Sequence, residues 1–253
     1  MSWLYTASLF VVFPLVLLLV LGGLETGYRI GKIRPIAEQQ VSTVSVPLLG
    51  LVGLLLAFSF SMAGDRHALR RAAAVQETNA IGTFWLRTSL MPEPTKSEMR
   101  ARVRRYVDVQ LEHREAGLDW VKLAALEAEA ARLQRELWAL LEADAKQAPE
   151  SVRLRLVAPA LNDMIDDSAT VMAARENRLP DALVGFLFLL VFSAGVVIGY
   201  RPRDEQRNLV LWGLFAAVMC TVLMTLIDLD RPRQGLITSN PAPYLRLRDS
   251  LRD

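Results

Sequence analysis

The hydropathy pattern divides the chain into four apolar segments and a long polar insert. The apolar segments, each 19 to 22 residues without a charge, are 3–24, 43–63, 182–200 and 209–227. About 20 apolar residues in a helix cross the hydrocarbon core of a bilayer. A helix satisfies its own backbone hydrogen bonds in lipid. The pattern therefore predicts four transmembrane helices and a multi-pass membrane protein.

The insert between the second and third spans has helical periodicity throughout. The second span is predicted to continue as a helix to Leu90, because no proline occurs until Pro92. Thr95 and Glu98 have capping-box spacing and predict a new helix start. Further along, apolar residues recur at spacings of three and four, as on a helix face that packs against a partner helix: Leu123, Leu126, Ala130, Leu133, Leu137 and Leu140.

These elements predict an all-α fold: four transmembrane helices with a helical extramembrane domain inserted between the second and third spans. The predicted divisions are 1–63 for the first two spans, 64–180 for the inserted domain, 181–228 for the last two spans and 229–253 for a C-terminal tail. Small residues in the third span, Gly195 and Gly199, are suited to close helix packing, either within one subunit or between subunits.

The distribution of charged residues supports the division into spans and an inserted domain. Residues 64–180 carry 18 Lys or Arg and 18 Asp or Glu, whereas no span has an ionisable residue in its middle. Buried charges within the membrane are typical of ion-coupled transporters, so their lack disfavours that class. A net charge of +2 with both signs interspersed predicts no nucleic acid partner.

The residues that usually carry catalysis or bind metals form no recognisable motif. His67 and His113 match no zinc-site spacing, and Cys220 is the single cysteine. We therefore expect no catalytic residues, no metal site and no cofactor, and the protein is predicted not to be an enzyme.

Positive charges beside the membrane give the predicted orientation. The short links 25–42 and 201–208 carry six Lys or Arg, whereas ten Arg flank the other ends of the spans or lie in the tail. Since positive charge is enriched on the cytoplasmic side, the count favours a cytoplasmic 64–180 region and cytoplasmic termini. The first helix taken alone favours the opposite orientation, because its positive charges all follow it.

Three segments together resemble a family of uncharacterised bacterial membrane proteins described as bestrophin-like. They are 57–66 (Ala-Phe-Ser-Phe-Ser-Met-Ala-Gly-Asp-Arg), 77–83 (Glu-Thr-Asn-Ala-Ile-Gly-Thr) and 228–235 (Asp-Leu-Asp-Arg-Pro-Arg-Gln-Gly). The last, directly after the fourth span, is the most specific. The resemblance implies a protein of the bacterial cytoplasmic (inner) membrane, whose partners are the lipid bilayer and further copies of the chain.

A more distant similarity is to bestrophins, which are pentameric channels for anions and, in some bacterial relatives, cations. It implies a homo-oligomeric ion channel whose second span lines the pore and forms an apolar neck. The candidate neck residues, four apart, are Val52, Leu56 and Phe60. A neighbouring face fits the same periodicity: Leu54, Phe58 and Met62. The chain lacks the acidic calcium-binding cluster of bestrophins.

Charged residues at the membrane edge form a second candidate site. We predict a polar clasp made of Arg66, Glu77, Asn79, Asp228, Asp230 and Arg231. Adjacent residues do not face each other, so Asp230 is expected to pair with an arginine of another helix, Arg66 or Arg70. The alternative to a channel is a non-conducting membrane scaffold or sensor that engages a partner through its helical domain.

Overall fold

A computed structural model of the chain describes residues 7–34, 38–201, 206–232, 237 and 240–252. These residues form α-helices, one short 3₁₀ helix at Thr88–Leu90 and no strand. In chain order the α-helices are α1 (Leu9–Ile33), α2 (Glu38–Arg87), α3 (Thr95–Glu115), α4 (Trp120–Gln147), α5 (Val152–Glu176), α6 (Asp181–Gly199), α7 (Leu209–Asp230) and α8 (Ala242–Ser250).

The predicted spans all lie in helices long and apolar enough to cross a membrane. The helix of the second span continues far beyond the apolar segment, as predicted, and runs without a break from Glu38 to Arg87. Its last three predicted residues, up to Leu90, form the 3₁₀ helix instead. The first helix extends beyond its predicted end to Ile33, since the residues after Leu24 are also compatible with a helix. Residues 3–6 of the first predicted span lie outside the described residues.

The chain forms two compact units. The first, here called the membrane unit, contains Met1–Arg66, Arg178–Arg231 and Gly235–Ile237. The second, here called the charged unit, contains His67–Asn177, Pro232–Gln234 and Thr238–Asp253. Each has its own apolar core.

Glycines bring α1 and α6 together in the membrane unit. A Cβ at Gly27 would overlap the carbonyl oxygen of Val196, and one at Gly199 would overlap that of Leu24. Such close backbone approach is how helices associate in lipid, where burial of apolar side chains gives little driving force. Gly195 and Gly199 thus pack within one subunit. The sequence analysis missed Gly23, Gly27 and Gly31, although their spacing of four was a usable signal.

The charged unit is built around the packing of α3 against α4. Leu126, Leu133 and Leu137 are buried in its core, as the predicted seam implies, with Leu141 beside them and Leu140 half-buried against it. Leu123 is also buried. The two helices are antiparallel neighbours along the chain, joined through Gly117, whose φ of 57° favours glycine.

The predicted helix start at Thr95 is confirmed, but the predicted cap at Thr95 is wrong. Thr95 is the first residue of α3, and the preceding Pro94 makes no side-chain cap. The carboxylate of Glu93 instead accepts a hydrogen bond from the backbone N–H of Ser97, at 3.2 Å. Since a carboxylate also interacts favourably with the positive end of the helix dipole, Glu93 serves the role expected of the threonine.

Candidate functional site

The two candidate neck faces of α2 differ in burial. Val52 and Leu56 are 1% and 7% exposed, and both pack into the core of the membrane unit. Leu54 and Phe58 are 53% and 58% exposed. At the end of each face, Phe60 and Met62 are half-buried against that core. The two faces, equivalent by periodicity, therefore have different surroundings within one subunit.

The span in α2 is also the least covered by the rest of its own chain. In its most apolar 18-residue window 11% of the residues are buried, against 28%, 39% and 33% for the other three spans. Gly50 and Gly53 lie on the uncovered side, and among the described residues no neighbour lies within 4 Å of a Cβ built at either. Unlike Gly27 and Gly199, they are therefore not at a close approach to another described helix.

Part of the predicted polar clasp lies at the C-terminal end of α7. Asp230 is 1% exposed, and its two carboxylate oxygens accept hydrogen bonds from the backbone N–H of Leu179 at 3.0 and 3.3 Å. Asp228 accepts one from the N–H of Ile237 at 2.9 Å. The negative end of a helix disfavours carboxylates, so backbone donors offset this cost. The two aspartates thereby tie α7 to the segment before α6 and to the tail.

The two arginines of the clasp lie in the same unit. Arg231, directly after α7, is buried. Arg66 donates from Nη1 to the backbone carbonyl of Met62 at 3.3 Å, one turn earlier in α2. The pairing of Asp230 with Arg66 or Arg70 stays a prediction. Asn79 is exposed on α2.

Glu77 belongs to a different cluster, in the core of the charged unit. Its side chain is fully buried. Oε1 accepts hydrogen bonds from the hydroxyl of Tyr106 at 3.0 Å and from Nε2 of Gln110 at 3.2 Å. Oε2 accepts one from the hydroxyl of Tyr244. Because α2, α3 and α8 each contribute a residue, this buried network connects helices that are distant in sequence.

Burial is the main electrostatic influence on Glu77, which lies outside the apolar part of α2. It raises the pKa of the carboxyl, while the hydrogen bonds from Tyr244 and Tyr106 and the charges of Arg175 and Arg114 oppose that change. Burial and the neighbouring Glu77 likewise raise the pKa of both tyrosines, so both stay protonated donors at neutral pH.

The sequence analysis missed Tyr106, Gln110 and Tyr244 as the partners of Glu77, and it treated 229–253 only as a tail. A signal was available in that tail. Tyr244, Leu247 and Leu251 are spaced three and four apart, as on one face of a helix. All three are buried in the core of the charged unit. Among the described residues, no group of three or more His, Cys, Asp or Glu is arranged to hold a metal ion.

Comparisons with known proteins agree with this architecture. No curated protein matches the chain. A solved structure described as a membrane protein P143A is similar in fold, with a TM-score of 0.61 at 12% identity, over 96% of this chain and 97% of that one. A family model described as the Bestrophin-like domain matches residues 8–244. The predicted family is therefore confirmed: this multi-pass membrane protein belongs to the Bestrophin-like family.

Proposed function

We propose that the protein is a homo-oligomeric ion channel, for anions or cations, in which α2 lines the pore. The observation that carries this proposal is the sparse cover of the second span, with 11% of its apolar window buried within the subunit. A pore on an axis shared by several subunits is lined by residues that one subunit leaves uncovered. Membership of the Bestrophin-like family supports the same function.

The exposed face of α2 is the better candidate for the neck. Leu54 and Phe58 are more than half exposed, whereas Val52 and Leu56 are occupied in packing against their own unit. A ring of such large apolar side chains, one from each subunit, closes a pore to ions by dewetting. We therefore place the neck at Leu54 and Phe58, the second of the two faces that periodicity allows.

The glycines on this face support assembly from several copies. Gly50 and Gly53 have no neighbour within 4 Å of a built Cβ, and small residues in a span allow another helix to approach closely. Contact with lipid alone does not favour glycine, so two glycines within one turn of α2 support packing against another helix. We propose a homo-oligomer, with the pentamer of bestrophins as its arrangement, and no enzymatic activity.

Oligomeric mass and ion conduction test the channel together. The purified chain is expected to run as a single oligomer in detergent by light scattering, and to give ion currents in planar bilayers. Phe58→Ala widens the neck and should change the unitary conductance or the open fraction at least about twofold. Leu214→Ala is the matched control, since Leu214 is 61% exposed on α7. We expect currents like those of the wild type.

A monomer without currents would refute the channel and favour the scaffold or sensor. Equal currents from wild type, Phe58→Ala and Leu54→Ala would refute the position of the neck alone.

The location proposed is the bacterial inner membrane, with the charged unit and both termini in the cytoplasm. The larger number of arginines on that side of the spans supports it. A reporter that is active only in the cytoplasm, fused after Asp253, should be active. Activity of a periplasmic reporter at the same position would show that the orientation is the opposite of the one proposed.

A further inference from the structure

The exposed face of α2 carries a carboxylate just beyond the proposed neck. Asp65 comes seven residues after Phe58, close to two helical turns, so it lies on the same face about 10 Å further along the axis. Leu54 is eleven residues before Asp65, close to three turns, and shares this face. Asp65 is exposed, as both apolar residues are, and it follows the apolar segment that ends at Ala63. A negative charge therefore lies at the membrane edge in line with the neck.

The polarity of this face changes steadily towards Asp65. Ser61 lies within about one turn of both Phe58 and Asp65, and it is exposed as well. A hydroxyl both donates to and accepts from water, and a carboxylate accepts. Groups that bind water thus follow the large apolar side chains on the exposed face of α2.

The charge of Asp65 is not neutralised within its own subunit. Its carboxylate makes no hydrogen bond or ion pair with any residue that the structure describes. By contrast, Glu25, at the end of the first span, binds Arg29 at 2.8 Å and Arg207 at 3.0 Å. The carboxylate of Asp230 accepts from the backbone N–H of Leu179. Asp65 therefore differs from these two carboxylates at span ends, since its charge acts on the solvent and on mobile ions.

The neighbouring Arg66 lies on a different side of α2. Successive residues are about 100° apart around a helix, and Arg66 is half-buried, with Nη1 donating to the carbonyl of Met62 at 3.3 Å. From Gly50 to Arg66, Asp65 and Arg66 are the charged residues of α2. The exposed face of this stretch therefore has a negative charge and no positive one.

We infer that Asp65 makes the pore selective for cations over anions. The inference rests on the proposed channel, in which each subunit turns the exposed face of α2 towards a common axis. The carboxylates of the subunits then form a ring at one end of the neck, and acidic rings are used by pores to favour cations. Because Asp65 is exposed and lies beyond the apolar residues, it meets hydrated ions. It acts by concentrating cations and depleting anions at the entrance of the neck, and it discriminates little between K⁺ and Na⁺.

Reversal potentials test this role, with the purified full chain in planar bilayers of a neutral lipid and KCl more concentrated on one side. Wild-type currents should reverse near the K⁺ equilibrium potential, with K⁺ about tenfold more permeant than Cl⁻. Asp65→Asn removes the charge at nearly constant size and should bring the two permeabilities close to each other. Asp65→Glu should keep the preference for K⁺, and Asp65→Lys should favour Cl⁻.

Asp181→Asn is the matched control. Asp181 is also exposed at the edge of a span, where the inserted domain leads into α6, but it does not lie on α2. Its reversal potential should equal that of the wild type.

Salt dependence gives a second measurement of the same charge. Screening shortens the reach of an exposed charge from about 10 Å at 0.1 M salt to about 3 Å at 1 M. The preference of the wild type for K⁺ should therefore fall as KCl is raised on both sides at a constant ratio. Asp65→Asn should show little change over the same range.

The outcomes separate this inference from the channel itself. Wild-type currents without a preference for cations, or equal reversal potentials for wild type and Asp65→Asn, would overturn the role of Asp65 and leave the channel in place. A preference for K⁺ that is independent of salt would also overturn it. A lack of currents from the wild type would overturn the channel and, with it, this inference.

Discussion

In the membrane unit α1 and α6 meet through glycines, whereas in the charged unit α3 and α4 meet through leucine side chains. Lipid removes the hydrophobic gain of burying leucine, so helices there gain from close backbone approach instead. For helices that pack in water, burial of apolar surface contributes about 25 cal/mol for each Å². The two units thus stabilise the same helical geometry by different kinds of contact.

The units also differ in how they bury polar groups. The membrane unit keeps its buried carboxylates, Asp228 and Asp230, at the end of a span and bound to backbone N–H groups. The charged unit places Glu77 in the middle of its core, among tyrosine and glutamine donors. A buried carboxylate is tolerated where its oxygens have donors, and side-chain donors from several helices allow this far from a helix end.

Gly27→Ala should have the largest effect. The new methyl group overlaps the carbonyl of Val196, and since backbone cannot rotate away, α1 and α6 must separate. We expect a loss of about 3 kcal/mol or more, at the upper end of the range for overpacking. The measurement is the thermal unfolding midpoint in detergent by circular dichroism. Gly213→Ala is the control, because its Cβ has no neighbour within 4 Å. Equal losses for both variants would contradict glycine-mediated packing.

Glu77→Gln should alter the pH dependence of the charged unit. The pKa of Glu77 is raised above its ordinary 4.5, so the folded state favours the protonated form. Protonation of Glu77 therefore stabilises the folded state fully below pH 4.5. This stabilisation is lost as pH rises through the raised pKa. Each unit by which the pKa of Glu77 in the folded state exceeds that in the unfolded state corresponds to about 1.4 kcal/mol of unfolding free energy.

The glutamine variant resembles the protonated acid and should lack this loss. The free energy of unfolding of Glu77→Gln should equal that of the wild type near pH 4 and exceed it near pH 7. Unfolding followed by circular dichroism at each pH measures this difference. Glu142→Gln, at an exposed position of α4, controls for the removal of a charge. A constant difference between wild type and Glu77→Gln across this pH range would show that the carboxyl is not electrostatically strained.

Arg105→Gln should have the smallest effect. Arg105 of α3 binds both oxygens of Glu129 of α4, at 2.8 and 3.0 Å, and Glu112 at 2.6 Å. The groups are partly exposed, so the expected loss is about 0.5 kcal/mol, and it should shrink in high salt. Arg135→Gln, exposed on α4, is the control. A loss as large as that of Gly27→Ala would mean that ion pairs, rather than leucines, hold α3 to α4.

Local pattern was enough to predict the spans and the α3–α4 seam, because both depend on side chains close together in sequence. It could not choose between Leu54 and Val52, which are equivalent by periodicity until the neighbours of α2 are known. The hydrogen-bond partners of Glu77 could not be predicted from local pattern either. Its partner Tyr244 lies 167 residues further along, and only the folded chain brings a carboxyl and a phenol at that separation together. The predicted cap at Thr95 was wrong because Thr95 is already the first residue of α3, with Pro94 in the cap position, and Glu93 accepts the backbone N–H of Ser97.

The contact between Glu77 and Tyr244 also orders events during synthesis. The ribosome makes α2 early but makes Tyr244 only after all four spans have been translated. Until α8 has emerged, the nascent charged unit lacks Tyr244, Leu247 and Leu251 from its core, and Glu77 lacks one of its donors. Closure of this core therefore comes after the fourth span has been translated, and a chain that stops at the end of α7 lacks the three α8 residues that complete it.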